Sequence, residues 1–212
     1  MLSKRLETIS EMLLKGEVVF DCGSDHALLP CFLVQNDICQ KAYAADLHIG
    51  PLNQAKANIS RLHLEDKIET ILSDGLDKMP DDVSVVVIAG MGYYTVHDIL
   101  EKANLNNLKQ IVVQVNRNVD KLRAYISDKN YTITNERIVK DNFFYEIVCF
   151  NTEYHDAYRP EEIMFGPINL QNKSSEFVAY IQSQIHTLEE IYQKNASLEI
   201  LNKINYLKTF IN

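Results

Sequence analysis

Two carboxylates and a histidine are clustered in one short turn of the sequence, directly after an apolar run. The run Val18–Phe20 ends at Asp21, and Gly23, Asp25 and His26 follow it closely. A buried strand that ends in a small-residue turn before a helix is how open α/β sheets build ligand sites. A dinucleotide-binding turn would need three glycines, and the two carboxylates would repel a pyrophosphate. They suit a ligand with an amine, hydroxyls or a positive centre, and S-adenosylmethionine carries all three.

Similar polar or glycine residues follow four further runs that are typical of buried strands. These runs end at Asp46, Asp74, Gly90 and Asn116, and segments with helical periodicity separate them. Because parallel strands place their carboxyl ends along one edge, we expect all five strand ends to border one ligand crevice. The alternation predicts an α/β fold with a mostly parallel, doubly wound sheet. An antiparallel hairpin predicted at residues 131–150 completes the arrangement of the class I, Rossmann-like methyltransferases.

The pattern changes after the predicted hairpin. Residues 151–172 contain two prolines and two tyrosines without a clear period, which indicates a linker packed on the sheet domain. Residues 173–195 carry an apolar stripe at helical spacing, and a second stripe runs from Leu198 to Ile211. Two such helices with a short connection pack as an antiparallel hairpin. We therefore predict a methyltransferase domain at residues 1–155, and a linker with a helical hairpin at residues 156–212.

Composition excludes several classes of protein. The 212 residues have a net charge of −8, which argues against general nucleic-acid binding, and no apolar run approaches a membrane span. No signal peptide is recognised and the four cysteines lack metal-ligand spacing, so we expect a cytoplasmic protein without metal. Residues 102–140 nevertheless hold eight basic and three acidic side chains, a net +5. That segment is either a solvated helix face or a phosphate-facing patch.

The later strand ends suit the parts of an adenosyl ligand, although each also has a simpler interpretation. Asp46 could accept both ribose hydroxyls, or it could cap the next helix. Asp74 and Gly75 could receive the adenine amine, or they could form an ordinary turn. The segment Ala89-Gly90-Met91 offers backbone access and an adaptable apolar side chain. His26 could also simply cap or pack at its helix start.

Several segments together resemble the TrmK family, the bacterial tRNA (adenine-N1)-methyltransferases that modify adenosine 22. The resemblance covers nearly the whole chain, and the GSDHA turn with IAGMG is specific in combination. It implies a class I methyltransferase domain followed by coiled-coil-like helices, S-adenosylmethionine as cofactor and tRNA as substrate. The chain departs from the family pattern at Leu28, Asp46, Tyr93 and Val115. The segments that carry the resemblance are Ser3–Ile9, Asp21–Val34, Ala45–Lys56, Asp74–Leu76, Ile88–Gly92, Gln114–Asn116, Tyr145–Val148 and Phe165–Pro167.

The resemblance divides the acidic turn between two roles. Asp21 is expected to serve the cofactor, and Asp25 is the candidate catalytic residue, which would accept a hydrogen bond from the adenine N6 amine. Tyr93 or Tyr94 could stack on the target base, or both could pack in the core. The expected cofactor contacts are Asp21, Gly23, Ser24, His26, Asp46, Leu47, Asp74, Gly75, Ala89, Gly90 and Met91. The expected tRNA contacts are Lys4, Arg5, Tyr93, Asn116 and Arg117.

Two other functions remain open at this level. A class I methyltransferase for another substrate would share the cofactor site without needing the basic segment or the helical tail. A non-catalytic relative, altered at Tyr93 and Val115, would bind tRNA without methylating it. The missing glycines disfavour an NAD enzyme. Because the helical hairpin can bury its own apolar stripes, we expect a monomer.

Overall fold

A seven-stranded mixed sheet forms the centre of the protein, and the computed structural model describes residues 2–211. The strand order is β3-β2-β1-β4-β5-β7-β6. The first five strands are parallel, and the β6–β7 hairpin is antiparallel and joins β5 through β7. This arrangement confirms the predicted fold class. The strands are β1 (Glu17–Cys22), β2 (Cys39–Asp46), β3 (Ile68–Leu72), β4 (Val85–Met91), β5 (Gln110–Val115), β6 (Tyr131–Lys140) and β7 (Phe144–Tyr154).

Helices cover both faces of this sheet. Helix α1 begins after Ser3, because the Ser3 hydroxyl accepts a hydrogen bond from the Leu6 amide at 3.4 Å and so caps the helix. A single 3₁₀ turn, Asp25–Ala27, separates β1 from α2. The helices are α1 (Lys4–Met12), α2 (Leu28–Gln35), α3 (Ile49–Arg61), α4 (Tyr93–Lys102), α5 (Val119–Asp128), α6 (Pro160–Phe165), α7 (Pro167–Asn172), α8 (Ser175–Lys194) and α9 (Leu198–Lys208).

The core lies on both faces of the central strands. The side chains of residues 85–88 in β4 and 111–113 in β5 are fully buried. A strand that is covered on both faces has a continuous apolar sequence, which is why β-branched residues fill these segments. In the part of the chain that the structure describes, no helix is long and apolar enough to cross a membrane.

The predicted linker is more ordered than its sequence indicates. Strand β7 continues to Tyr154 rather than ending at Phe150, and two six-residue helices, α6 and α7, follow. A proline at the start of each helix fits there because the first helical amide needs no partner. Tyr158 is buried, and its hydroxyl accepts a hydrogen bond from the Ile133 amide at 2.7 Å. Helices this short have no visible period, so the sequence pattern missed them.

The two terminal helices bury their stripes as predicted over most of their length. Phe177, Ile181 and Ile185 of α8 share a cluster with Ile204 and Leu207 of α9. The prediction is wrong at the end that joins the two helices. Leu198 is 74% exposed and Ile191 is 45% exposed. Both lie near the connection between α8 and α9.

Candidate active site

Three carboxylates converge at the carboxyl ends of β1, β2 and β3. The pKa of the Cys22 thiol is raised to about 12, first by burial and then by the charges of Asp21, Asp46 and Asp74. The strand register places the same three ends side by side, since Cys22 of β1 pairs with Ala45 of β2 and Asp46 of β2 pairs with Leu72 of β3. The predicted alignment of strand ends thus brings together the acidic residues that the sequence separates.

Asp21 is a buried carboxylate with no cation beside it. It is 7% exposed, and burial raises its pKa to about 6, while the nearby Ser24 hydroxyl opposes that rise. Among residues 2–211, no Lys, Arg or His forms an ion pair with Asp21. A positively charged amine is the ligand that such a group favours, because it compensates the buried charge.

The turn after β1 is fixed against β2 and β4. The amides of Gly23 and Ser24 both donate to the Ala45 carbonyl at 2.8 Å. Gly23 has a φ of +80°, and a Cβ there would lie 2.3 Å from Cε of Met91. The turn therefore requires glycine for its conformation and for its close approach to Met91. The Ser24 hydroxyl is buried beside Asp21, and within the described residues it makes no hydrogen bond of normal geometry. It is available to a ligand.

Asp46 holds the turn just ahead of α3, where His48 rather than Asp46 is the N-cap residue, and its contact with ribose hydroxyls stays a prediction. Its Oδ1 accepts a hydrogen bond from the His48 amide at 2.8 Å, just before α3 begins. This bond uses one carboxylate oxygen and leaves Oδ2 for a ligand hydroxyl. Leu47 is exposed between them. Asp74 is also exposed, and Gly75 (φ +55°) turns against Ile99, so the predicted turn is present.

The ends of β4 and β5 form a second, amide-rich half of the crevice. Gly90 has a φ of +82° and lies where the β4–β5 register shifts. Its amide donates to Oε1 of Gln114 at 3.1 Å, and its carbonyl accepts from Nδ2 of Asn116 at 2.7 Å. Nη1 of Arg5 donates to the same Gln114 oxygen at 2.6 Å. The role of Gln114 was missed, although a polar side chain inside the apolar run of β5 was a visible signal.

Asp25 and His26 lie in the 3₁₀ turn at the mouth of the crevice. The Asp25 side chain is 76% exposed, and its Oδ1 is 3.4 Å from Nε2 of His26. The backbone carbonyl of His26 accepts a hydrogen bond from Nδ2 of Asn58 at 2.9 Å. His26 therefore fixes the turn through its backbone, and its ring neither caps a helix nor packs in the core. Both side chains are accessible to a substrate.

The predicted tRNA contacts are not all in one place. Lys4 lines a groove of about 590 Å³ together with Glu11 and Glu176, which is separate from the strand-end crevice. Lys4 and Arg5 therefore face different surfaces, because neighbouring helix residues point in different directions, and both stay predicted tRNA contacts. Tyr93 is partly buried against the core, which favours the packing interpretation. Tyr94 is 65% exposed and accepts a hydrogen bond from Lys121.

The basic segment at residues 102–140 is mostly used within the protein. Arg123 is fully buried between two glutamates, and three lysine or arginine side chains form surface ion pairs. Half of the eight basic side chains are therefore paired within the protein, which limits any phosphate-facing patch in this segment to the other four. Within residues 2–211, the members without an ion pair are Lys102, Arg117, Lys121 and Lys140.

Comparison with known proteins identifies the family. The model of the TrmK family, tRNA (adenine(22)-N(1))-methyltransferase, matches residues 19–212. The chain belongs to this family. The tRNA (adenine(22)-N(1))-methyltransferase of Bacillus subtilis is 29% identical over 202 residues, which are 91% of this chain and 85% of the relative. The predicted family, enzyme class and activity are confirmed by these matches.

Two solved structures resemble the whole chain. TrmK of M. capricolum, in complex with S-adenosyl-homocysteine, is 33% identical with a TM-score of 0.85, and the match covers 100% of this chain and 98% of that one. The Streptococcus pneumoniae protein Sp1610, in complex with S-adenosyl-L-methionine, is 31% identical with a TM-score of 0.89, and the match covers both chains fully. These bound ligands agree with the predicted cofactor.

Proposed function

We propose that this chain transfers a methyl group from S-adenosylmethionine to N1 of adenosine 22 in tRNA. The observation that carries the proposal is the convergence of three carboxylates around Cys22, beside the amide-rich ends of β4 and β5. The first half suits a ligand with an amine and hydroxyls. The amide-rich ends of β4 and β5, together with Asp25, suit an uncharged base and the nucleic-acid backbone to which it is attached. The family to which the chain belongs supports both assignments.

The residues of the acidic half fit the cofactor. Buried Asp21, together with the adjacent Ser24 hydroxyl, would hold the cationic amine. The free oxygen of Asp46 would accept ribose hydroxyls, and Asp74 would accept from the adenine amine. The cofactor supplies an electrophilic methyl group on a positively charged sulfur. The chain's task is to bind it, exclude water and hold the acceptor base in line.

The acceptor needs positioning more than activation. Adenine N1 already has a neutral lone pair, so no strong base is required, and correct placement supplies most of the rate. The ring gains positive charge as N1 forms its new bond, and the N6 amine becomes more acidic. A carboxylate that accepts a hydrogen bond from N6 stabilises that charge. Asp25 is our candidate, because its exposed side chain lies directly beyond the Gly23 turn.

Replacing Asp25 by asparagine tests this role. We expect Asp25→Asn to slow single-turnover methyl transfer about tenfold to a hundredfold, because the growing charge loses its carboxylate. The affinity for S-adenosylmethionine, measured by calorimetry, should stay within about twofold. Asp66→Asn, which changes an exposed aspartate away from the crevice, is the matched control. Wild-type turnover in Asp25→Asn would remove Asp25 from the mechanism.

Arg117 is proposed to contact a tRNA phosphate from the loop after β5. It is exposed and lines a cleft of about 450 Å³ that also contains Lys203 and Tyr206 of α9. We expect tRNA affinity to fall steeply with salt, and Arg117→Gln to reduce the slope of log affinity against log salt by about one. Lys15→Gln, at an exposed site outside this cleft, should leave the slope unchanged. Filter binding at several salt concentrations measures both slopes.

Mass spectrometry of tRNA nucleosides tests the proposed function directly. Incubation of unmodified tRNA with the protein and S-adenosylmethionine should yield 1-methyladenosine, and a transcript with guanosine at position 22 should yield none. Binding of both ligands without product would instead support the non-catalytic alternative. Product in both transcripts would place the methyl group elsewhere.

The remaining assignments are also proposals. We propose a domain boundary near residue 155 and a monomer, since α8 and α9 bury apolar faces against each other and against Phe165. Sedimentation at micromolar concentration checks the oligomeric state. We also assign the protein to the cytoplasm, which its tRNA substrate and four free, buried cysteines support.

A further inference from the structure

Arg5 is the cation held at the amide-rich half of the crevice. We propose that it binds the backbone phosphate adjoining the target adenosine once that nucleotide is extruded from the tRNA stack. This inference rests on the proposed function and names the part of the substrate that this half recognises. It differs from a general surface attraction to tRNA, because it assigns one side chain to one phosphodiester.

The guanidinium of Arg5 is already fixed before any ligand binds. Its Nη1 donates to Oε1 of Gln114 at 2.6 Å, and its Cζ lies 5.4 Å from the centre of the Tyr145 ring. Gln114 is fully buried, and its Nε2 donates to the Val115 carbonyl at 2.8 Å, so the amide has one orientation. An arginine held in this way loses less conformational entropy when it binds an anion.

The remaining donors of Arg5 are available to a ligand. The Arg5 side chain forms no other hydrogen bond and no ion pair within residues 2–211, so only its Nη1 is engaged. A guanidinium with a free edge can bind two phosphate oxygens in parallel, which a lysine cannot do. A Cβ added to the exposed Gly90 would lie 3.2 Å from Nη1 and 3.7 Å from Nη2 of Arg5. The guanidinium, with its unengaged Nη2, therefore lies next to the exposed turn at the end of β4.

The charge distribution separates the two ligands along the crevice. The carboxylates of Asp21, Asp46 and Asp74 lie at the ends of β1 to β3, where a phosphate would be repelled. The ends of β4 and β5 instead present Arg5 and the side-chain amide of Asn116. An RNA backbone is the polyanion that the proposed reaction brings to this half, so the charges favour a phosphodiester there.

A purely structural role for Arg5 makes a different prediction. Arg5 also connects α1 to β5, so its loss could disturb the fold without any contact to RNA. A chemical double-mutant cycle separates the two roles. One transcript carries a single uncharged methylphosphonate linkage on the 5′ side of the target adenosine, and a second carries it on the 3′ side. Both transcripts are tested against wild type and Arg5→Gln, in methyl transfer and in tRNA affinity.

We expect one of the two neutral linkages, 5′ or 3′, to reduce the wild-type kcat/KM about tenfold to a hundredfold. That linkage is the one whose phosphate charge Arg5 contacts. Arg5→Gln should show a similar loss with normal tRNA, and the neutral linkage should cause no further loss in this variant. Affinity for S-adenosylmethionine should stay within about twofold. Lys15→Gln is the matched control, because Lys15 is exposed just beyond the end of α1 and is not among the expected tRNA contacts. Its losses should be small and additive with the linkage.

Additive losses in Arg5→Gln, for both linkages, would overturn the proposal and leave Arg5 as a structural connection. The same conclusion follows if Arg5→Gln loses thermal stability and cofactor affinity together. Failure of the proposed function is a separate result, in which wild type produces no 1-methyladenosine at position 22. Because the cycle is also measured by tRNA affinity, it still distinguishes the two roles of Arg5 in that case.

Discussion

Arg123→Ala is expected to destabilise the folded protein by about 3–5 kcal/mol, because it leaves two carboxylates buried without a partner. The Arg123 side chain is fully buried. Its Nε donates to Glu136 at 2.7 Å, and its Nη2 donates to Glu146 at 2.8 Å. Burial raises the pKa of Glu136, the charge and hydrogen bond of Arg123 oppose this rise, and the charge of Glu146 adds to it. Urea denaturation monitored by circular dichroism measures the loss.

The same cluster joins the sheet domain to the C-terminal helices. Glu136 accepts a hydrogen bond from the Ile168 amide at 3.0 Å, in α7, and Glu146 accepts from the Tyr180 hydroxyl at 2.9 Å, in α8. Nη1 of Arg123 reaches the Met164 carbonyl, in α6, at 3.3 Å. The variant should therefore loosen the packing of α6 to α8 as well as lower global stability. Hydrogen exchange in these helices would report that loosening.

Lys129→Ala is the matched control in the same region of the chain. Lys129, at the end of α5, forms an ion pair with Glu101 at 2.7 Å, but both side chains are about 40% exposed. Its loss should cost less than about 1 kcal/mol.

The pH dependence of the stability of Arg123→Ala gives a second check. In Arg123→Ala, the carboxylates of Glu136 and Glu146 can become protonated in acid. The stability difference between this variant and wild type should therefore be smaller at pH 5 than at pH 7. A pH-independent loss similar to that of Lys129→Ala would contradict a buried ionic cluster.

Asp21→Asn is expected to weaken S-adenosylmethionine binding about tenfold to a hundredfold at pH 7. The variant loses a charge-assisted hydrogen bond, which is worth about 1.5–3 kcal/mol. The burial that raises the Asp21 pKa to about 6 adds a pH dependence. The cationic amine favours ionised Asp21, so wild-type affinity should fall roughly tenfold between pH 7 and pH 5. Asp21→Asn should show no such change in calorimetry.

The same substitution should stabilise the protein in the absence of cofactor. The folded pKa of Asp21 lies above its unfolded value, so wild-type stability falls as pH rises from about 4 to about 6. Asparagine removes that cost, which amounts to up to about 3 kcal/mol at pH 7. Asp46→Asn is the control, because it leaves Asp21 intact and should keep the pH dependence of binding. Equal pH dependence in wild type and Asp21→Asn would exclude Asp21 as the amine ligand.

The sheet and its acidic edge could be predicted because their signals are local. Continuous β-branched runs such as residues 85–88 report burial on both faces, and a carboxylate or glycine directly after such a run marks a strand end. The convergence of Asp21, Asp46 and Asp74 follows from parallel pairing alone. The helices α6 and α7 could not be predicted in this way, since six residues are too few to show a period.

The sequence alone determined the fold class, the order of the elements and the acidic half of the crevice. Each of these depends on residues that are neighbours in the chain. The tertiary structure alone decided which cations remain available for the substrate. Arg5 meets Gln114 across 109 positions, whereas the adjacent Lys4 lines another groove. In the sequence, Arg123 belongs to a basic segment expected at the surface, but its side chain is buried between Glu136 and Glu146. The partners of a long charged side chain depend on contacts between distant segments, and local patterns contain no information about those contacts.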